Sequence, residues 1–355
     1  MIETFIDLTF ADRLLWALAF LIVALVIGSF TLVALVVHLR LRNIRRAKKR
    51  AHLEAQWEPI VLEVLAGDAP DSDLHGLVKP EEERYFVDFL MRYSTRLKGE
   101  EREAVLELSR EYLPTVALEL KRRSPERRAR AVQTLGELDA QSYTAELMSA
   151  LTDPSPLVAI TAARALARQR NPDLAQALVD SFGAVALWHK RFLSAMLANM
   201  GPKAGPILRD ALADPHQPTH TRVLAAETLV QLNDLAAVDS ATAVIQTEND
   251  TDLLVAALRL IQRVGGEEQR EPVKALLNAR DPAVRANAVR ALACVGTQSD
   301  VELVRNAVED ESNWVVMHAV WGLKALGRSD LLRDIVSSNH RRSAAAREML
   351  TEVPA

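Results

Sequence analysis

The chain has 355 residues, with 43 Lys and Arg against 47 Asp and Glu and a formal net charge of −4. Its one cysteine, Cys294, excludes a disulfide framework and suits a reducing compartment. Residues 1–50 hold eight basic and three acidic groups, leaving residues 51–355 at −9, a sign that disfavours nucleic acid, where affinity comes largely from neutralised phosphates.

Residues 1–13 are short and acidic, with Glu3, Asp7 and Asp12 against Arg13. Residues 14–37 then run for 24 positions without a formal charge. A helix of that length is roughly 36 Å long, against roughly 30 Å for the hydrocarbon core of a bilayer. The stretch therefore predicts a transmembrane helix over 14–39. A cleaved signal peptide would need a basic start and a shorter apolar core. Within the helix, Ala24 and Gly28 are small residues four apart, a spacing that lets a partner helix approach closely.

A basic cluster follows: Arg40, Arg42, Arg45, Arg46, Lys48, Lys49 and Arg50. It predicts that the N-terminus faces outward and that the rest of the chain stays beside the inner face of the membrane. The same residues fit a topology signal and contact with anionic lipid headgroups. Residues 40–66 read as a juxtamembrane helix, with Pro59 expected to kink or restart it. Residues 67–80, with two Gly and two Pro, read as a linker. Residues 81–121 read as a helical pre-domain: one helix stopped by Gly99, then a second from Glu100 to Lys121 that Pro114 splits.

From residue 113 to 338 the chain repeats. One column reads Leu135, Leu166, Leu197, Leu229, Ile261, Leu292 and Leu323, stepping by 31 or 32. Four residues earlier stand Ala131, Ala162, Leu193, Ala225, Ala257, Ala288 and Ala319. An i, i+4 pair shares one helical face, and its small member admits a neighbouring helix. Four residues after the first column stand Asp139, Arg170, Gly201, Asn233, Gly265, Gly296 and Gly327, suited to the left-handed turn that ends a helix. Asp153-Pro154, Asp214-Pro215 and Asp281-Pro282, with Asp250 and Asp310 in similar places, are expected to cap the next helix. Each unit is thus a helical hairpin that cannot bury its apolar face alone. Seven of them predict an all-α fold, an α-solenoid behind a single transmembrane helix. Residues 339–355, with Ala346 and Leu350, read as a capping helix.

Residues 276–296, LLNARDPAVRANAVRALACVG, resemble the HEAT repeat in its short bacterial form, often called PBS-lyase HEAT-like. Asp281, Pro282, Val284, Arg285, Ala288, Ala291, Leu292 and Gly296 carry the match. The unit around 183–201 departs most, with Trp188 and Leu193 in place of small residues. The resemblance implies a binding surface rather than a chemistry. The layout of anchor, pre-domain and repeats is also similar to bacterial membrane-anchored HEAT proteins that accompany envelope machinery. Some of these are associated with glycosyltransferases of exopolysaccharide export.

No phosphate loop, nucleophile elbow, H-E-x-x-H or C-x-x-C occurs in the sequence. Neither a cofactor nor a metal is expected. His216 and His220 stand four apart, but Pro215 and Pro218 break any helix that would present them together. Cys294 reads as a tolerated small residue. Two sets carry open alternatives. Trp314, His318 and Trp321, like Trp188, fit either core packing or an aromatic anchor for a partner. Arg128, Lys190, Arg222 and Arg285 occupy one position of the second helix, and fit either inter-repeat ion pairs or a basic stripe that reads an acidic partner. The resulting expectation is a non-enzymatic, single-pass inner-membrane scaffold that binds a protein partner, a membrane enzyme or its subunit, and no nucleic acid. A ligand-sensing regulatory subunit and an enzyme of the bilin-lyase type are the alternatives.

Overall fold

The computed structural model describes residues 10–70, 74, 76–181, 190–338 and 340–351, with side chains from residue 15 onward. The chain divides into two compact units, Met1–Tyr112 and Leu113–Ala355. Every element among the described residues is a helix or a turn.

In the first unit, α1 (Phe10–Ala66) is one helix of 57 residues. Every large apolar side chain from Leu15 to Val37 is exposed, Trp16 at 70% and Phe20 at 77%. Water does not tolerate a continuous apolar surface of that size. The helix is long and apolar enough to cross a membrane. Ala24 and Gly28 lie in this exposed stretch, and nothing stands within 4 Å of where a Gly28 Cβ would be.

Beyond the basic cluster, α1 changes partner. Leu53, Trp57 and Val61, spaced one turn apart, are buried. Trp57 meets Phe86 edge to face at 5.2 Å on α2 (Glu83–Ser94), and Phe86 meets Tyr112 in the same way at 4.9 Å. Such pairs add to the burial of large rings. Around this core Tyr93 donates to Glu58 and Arg92 pairs with Glu54. Lys49 approaches Glu82 at 3.6 Å and Arg50 approaches Asp88 at 3.7 Å. Pro59 lies inside α1, which continues past it without restarting. Gly99 does not stop α2, which ends at Ser94; it opens α3 (Gly99–Ser109) at φ +61°. The helix expected over Glu100–Lys121 is α3, a 3-10 turn, α4 (Leu113–Leu118) and a second 3-10 turn, with Pro114 in the first turn of α4.

The second unit stacks hairpins. After α4 come α5 (Pro125–Leu138), α6 (Thr144–Ala150), α7 (Pro156–Arg168), α8 (Ala175–Asp180), α9 (Lys190–Ala198), α10 (Gly205–Ala213) and α11 (Thr219–Leu232). Then follow α12 (Val238–Thr247), α13 (Thr251–Val264), α14 (Arg270–Lys274), α15 (Pro282–Val295), α16 (Val301–Asn306), α17 (Asn313–Ala325), α18 (Ser329–Ser337) and α19 (Ser343–Thr351). The even-numbered helices α4–α16 begin the repeats and the odd-numbered α5–α17 complete them. Successive odd helices pack on one another, so each hairpin covers the next. All seven members of the Leu column and all seven of the Ala column are buried. One apolar core runs from Ala129 to Met349 through every repeat. Close approach is built in: a Cβ added at Gly136 of α5 would stand 2.4 Å from the Ala165 Cβ of α7.

Two expectations about the turns are corrected. Arg170, Gly201, Asn233 and Gly327 do take positive φ, but Gly265 and Gly296 lie at −73° and −76° and Asp139 at −156°. At Gly265 and Gly296 the requirement is space, since a Cβ would stand 2.6 Å and 2.4 Å from the carbonyl oxygens of Ile261 and Leu292. Asp250 and Asp281 cap α13 and α15 as expected from their positions. Asp153, Asp214 and Asp310 do not cap; each accepts the amide two residues on and shapes the turn before the helix. In α19, Ala346 is buried, and Met349 rather than Leu350 is its fully buried partner.

If stacking carries the stability, Leu229→Ala costs about 2–5 kcal/mol. Leu235→Ala, at a position 72% exposed, costs within about 0.5 kcal/mol. Amide hydrogen exchange in α11 and α13 of the full chain reads both. Equal protection in the two variants contradicts the stacking account.

Candidate partner-binding face

The Arg column builds the joints between repeats. Arg128 forks onto Asp153 with two bonds of 2.8 Å and gives its Nη1 hydrogens to the carbonyls of Arg122 and Arg123. Arg285 repeats the arrangement 157 residues later, forking onto Asp310 at 2.8 and 2.9 Å and reaching the carbonyls of Ala279 and Arg280. Arg222, itself buried, bonds the Leu212 carbonyl at 2.9 Å and Glu248 at 2.7 Å. In each case a guanidinium on an odd helix bonds one or two carbonyls where its own hairpin turns and the turn acid of the next hairpin. Planar bidentate pairing suits Arg and not Lys. Lys190, in the same column, reaches Asp252 at 2.6 Å as a surface pair. The inter-repeat role is thus the one the geometry supplies for Arg128, Arg222 and Arg285.

A second joint was not visible in the column. Asp300, fully buried, accepts from Arg270 and from the Thr297 amide, with Lys274 2.8 Å from its other oxygen. Burial alone raises a carboxyl, but these donors overcome it and hold Asp300 well below the usual carboxylate range. Arg209 similarly ties α10 to Asp234 at 2.7 Å.

The two layers differ in charge. The odd helices α5–α17 hold thirteen Lys and Arg against four Asp and Glu. Among the described residues, the even helices α4–α16 with the 3-10 turns of the second unit hold six against twelve. Some odd-layer cations are compensated in place, Arg168 by Glu137 and Arg259 by Glu227 at 2.8 Å. Among the described residues Arg164, Arg263 and Arg290 have no carboxylate partner.

The aromatic residues gather at the C-terminal end of this layer. Trp314 on α17 is 50% exposed and donates its indole N–H to His318 Nε2 at 2.8 Å. That bond requires a neutral imidazole with its proton on Nδ1. Desolvation first, then the charges of Arg290 and Arg259, push His318 down to about 4, so it is neutral at pH 7. Trp321, half-buried, carries the Arg290 guanidinium over its ring at 4.4 Å. Packing and exposure coexist: Trp321 joins the core edge while Trp314 does not. Arg290 and Arg259 were missed by reading the sequence. The signal lay two residues before the Leu column, where Gln133, Arg164, Ala195, Glu227, Arg259, Arg290 and Trp321 mark the outward ridge.

Elsewhere on the odd layer, a groove of about 300 Å³ lies between α5, α7 and α9, lined by Leu157, Thr161, Arg164, Arg168 and Phe192. Trp188 lies outside the described residues. His216 is in the exposed turn before α11 and His220 in its first turn. No group of three or more potential metal ligands occurs among the described residues. Cys294 faces outward on α15.

The HEAT-repeat family matches residues 113–185 and 270–351. No curated protein matches the chain. Among solved structures, human deoxyhypusine hydroxylase in complex with glycerol aligns at 15% identity over 69% of this chain and 97% of its own, with a TM-score of 0.32. The karyopherin Kap121p, bound to the extreme C-terminus of the protein phosphatase Cdc14p, aligns at 15% identity over 76% of this chain and 36% of its own, with a TM-score of 0.42.

Two outcomes test the joints. Arg285→Ala and Asp310→Ala are expected to couple by about 0.5–3 kcal/mol in a double-mutant cycle; strict additivity contradicts the joint. The depressed carboxyl of Asp300 contributes stability that is complete above about pH 4 and lost on acidification. Depressed His318 contributes stability that is complete above about pH 6.5 and lost as pH falls through 4. An NMR titration finding His318 at the ordinary histidine value contradicts its burial beside two arginines.

Proposed function

We propose that this HEAT-repeat protein is a non-enzymatic scaffold, anchored by α1 and binding a protein partner along its odd-helix layer. The observation that carries the reading is the pairing of two unlike surfaces in one chain. One is a helix with an unrelieved apolar exterior from Leu15 to Val37. The other is a stack of hairpins whose two helix layers differ in charge. A surface of the first kind is stable in hydrocarbon, where a helix satisfies its own backbone. A surface of the second kind offers a long face to another protein. Anchoring raises the local concentration of that partner without any new contact.

The basic residues Arg40 to Arg50 support a topology in which residues 40–355 lie in the cytoplasm of a cell with an inner membrane. Lys49 has an acidic neighbour just before α2 and Arg50 one on it, so Arg40, Arg42, Arg45, Arg46 and Lys48 are the better candidates for lipid headgroups. The finer reading, in which the partner is a membrane enzyme such as an exopolysaccharide glycosyltransferase, rests on the layout of anchor, pre-domain and repeats.

Cys294 gives a direct test of topology. In spheroplasts an impermeant maleimide is expected to leave it unlabelled, and to label it after lysis; labelling of intact spheroplasts reverses the proposed orientation. In-cell crosslinking followed by mass spectrometry is expected to recover one specific membrane protein. Recovery of chaperones alone counts against the scaffold.

A further inference from the structure

The geometry points to a docking site at the C-terminal end of the odd layer for an extended segment of the partner that carries an Asp or Glu carboxylate beside an aromatic side chain. This inference rests on the scaffold reading and names the chemistry its partner must present. Arg290 is the centre of the site. Its guanidinium carbon lies over the Trp321 ring, 4.4 Å from the centroid, a contact that holds the cation at the ring without satisfying its hydrogens. Among the described residues it has no carboxylate partner, whereas the arginines of the repeat joints each have one. A guanidinium held at one ring offers a carboxylate its planar fork of donors.

Trp314 supplies the second half. It is half exposed on a helix whose other apolar residues are mostly buried. Its indole N–H is already bonded to His318, so what it offers outward is the ring rather than a donor. The bond holds the ring in one orientation, which lowers the entropy lost when another ring packs on it. His318 is neutral, so it neither repels Arg290 nor competes with it for an anion.

Charge favours an acidic partner, since the odd layer is basic and its even counterpart is acidic. The same charge argues for a peptide over a nucleic acid. Phosphate backbones are bound by runs of uncompensated cations. Here the joints and in-layer pairs hold Arg128, Arg168, Arg222, Arg259 and Arg285 against carboxylates.

The test uses the full chain in uncharged detergent and dye-labelled peptides of about ten residues. One alternates Glu with Phe, one Lys with Phe and one Glu with Gly; single-stranded oligo-dT is the fourth probe. The Glu–Phe peptide is expected to bind, to change tryptophan fluorescence and to weaken with salt. Arg290→Ala and Trp314→Ala are each expected to weaken it roughly tenfold. Arg290→Gln, which keeps much of the packing volume, should match Arg290→Ala, and Arg305→Ala, on the even helix α16, should leave binding unchanged. Equal affinity for Arg290→Gln and the parent chain overturns the site. So does absence of Glu–Phe binding, equal binding of the Glu–Gly or Lys–Phe peptide, or tighter binding of oligo-dT. In cells, a crosslinked partner that persists with Arg290→Gln removes this site and leaves the scaffold standing. Peptide binding without any crosslinked partner does the reverse.

Discussion

The second unit depends on one constraint: no hairpin can bury its own apolar face. Six of the seven odd helices present a small residue and a Leu or Ile one turn apart, α9 presents Leu193 and Leu197, and these side chains are buried where successive odd helices pack. Burial of such a side chain contributes about 1.5–3 kcal/mol. Stability is therefore distributed along the stack and held between neighbours rather than within units. The Arg joints follow from the same requirement. Stacking leaves turn carboxylates and helix-end carbonyls at the seam, and a guanidinium that reaches both satisfies several polar groups at once. Because Arg128 and Arg285 do this with nearly identical partners, the joint is a feature of the repeat and not of one site.

That division of labour separates residues that hold the stack from residues that are open to others. Arg128, Arg222 and Arg285 are engaged at seams, so their charge is neutralised within the fold. The outward ridge, two residues before the Leu column, carries Arg290 and Trp321 and stays available. The first unit shows a comparable division. Trp57 and Phe86 form its core, while Glu54, Glu58 and Asp88 draw neighbouring side chains around it.

Much of the fold was legible because it is periodic. A spacing of 31 or 32 repeated six times identified the buried columns, and all of their members are buried. The apolar run was legible for the opposite reason, its lack of any polar interruption. Local turns were less so. Gly265 and Gly296 look like Gly327 in the sequence, yet they answer to a crowded carbonyl rather than to a left-handed backbone. Asp153 and Asp281 both precede Pro, yet only Asp281 caps a helix. Pairings 25 residues apart, such as Arg285 with Asp310, depend on how one hairpin leans on the next, which spacing alone does not specify. Arg290 escaped notice because its partner is a ring on another helix.

The unbroken course of α1 has a mechanical consequence. At 1.5 Å per residue its 57 residues form a rod of about 86 Å. Its apolar stretch and the aromatic core around Trp57 lie on the same shaft. A turn or tilt imposed at one end arrives at the other as torque, since no loop lies between to dissipate it. The weakest point is Pro59, which lacks the amide hydrogen that would bind the turn before it. Bending is thus directed to the level of Trp57, where rings from α2 already brace the shaft.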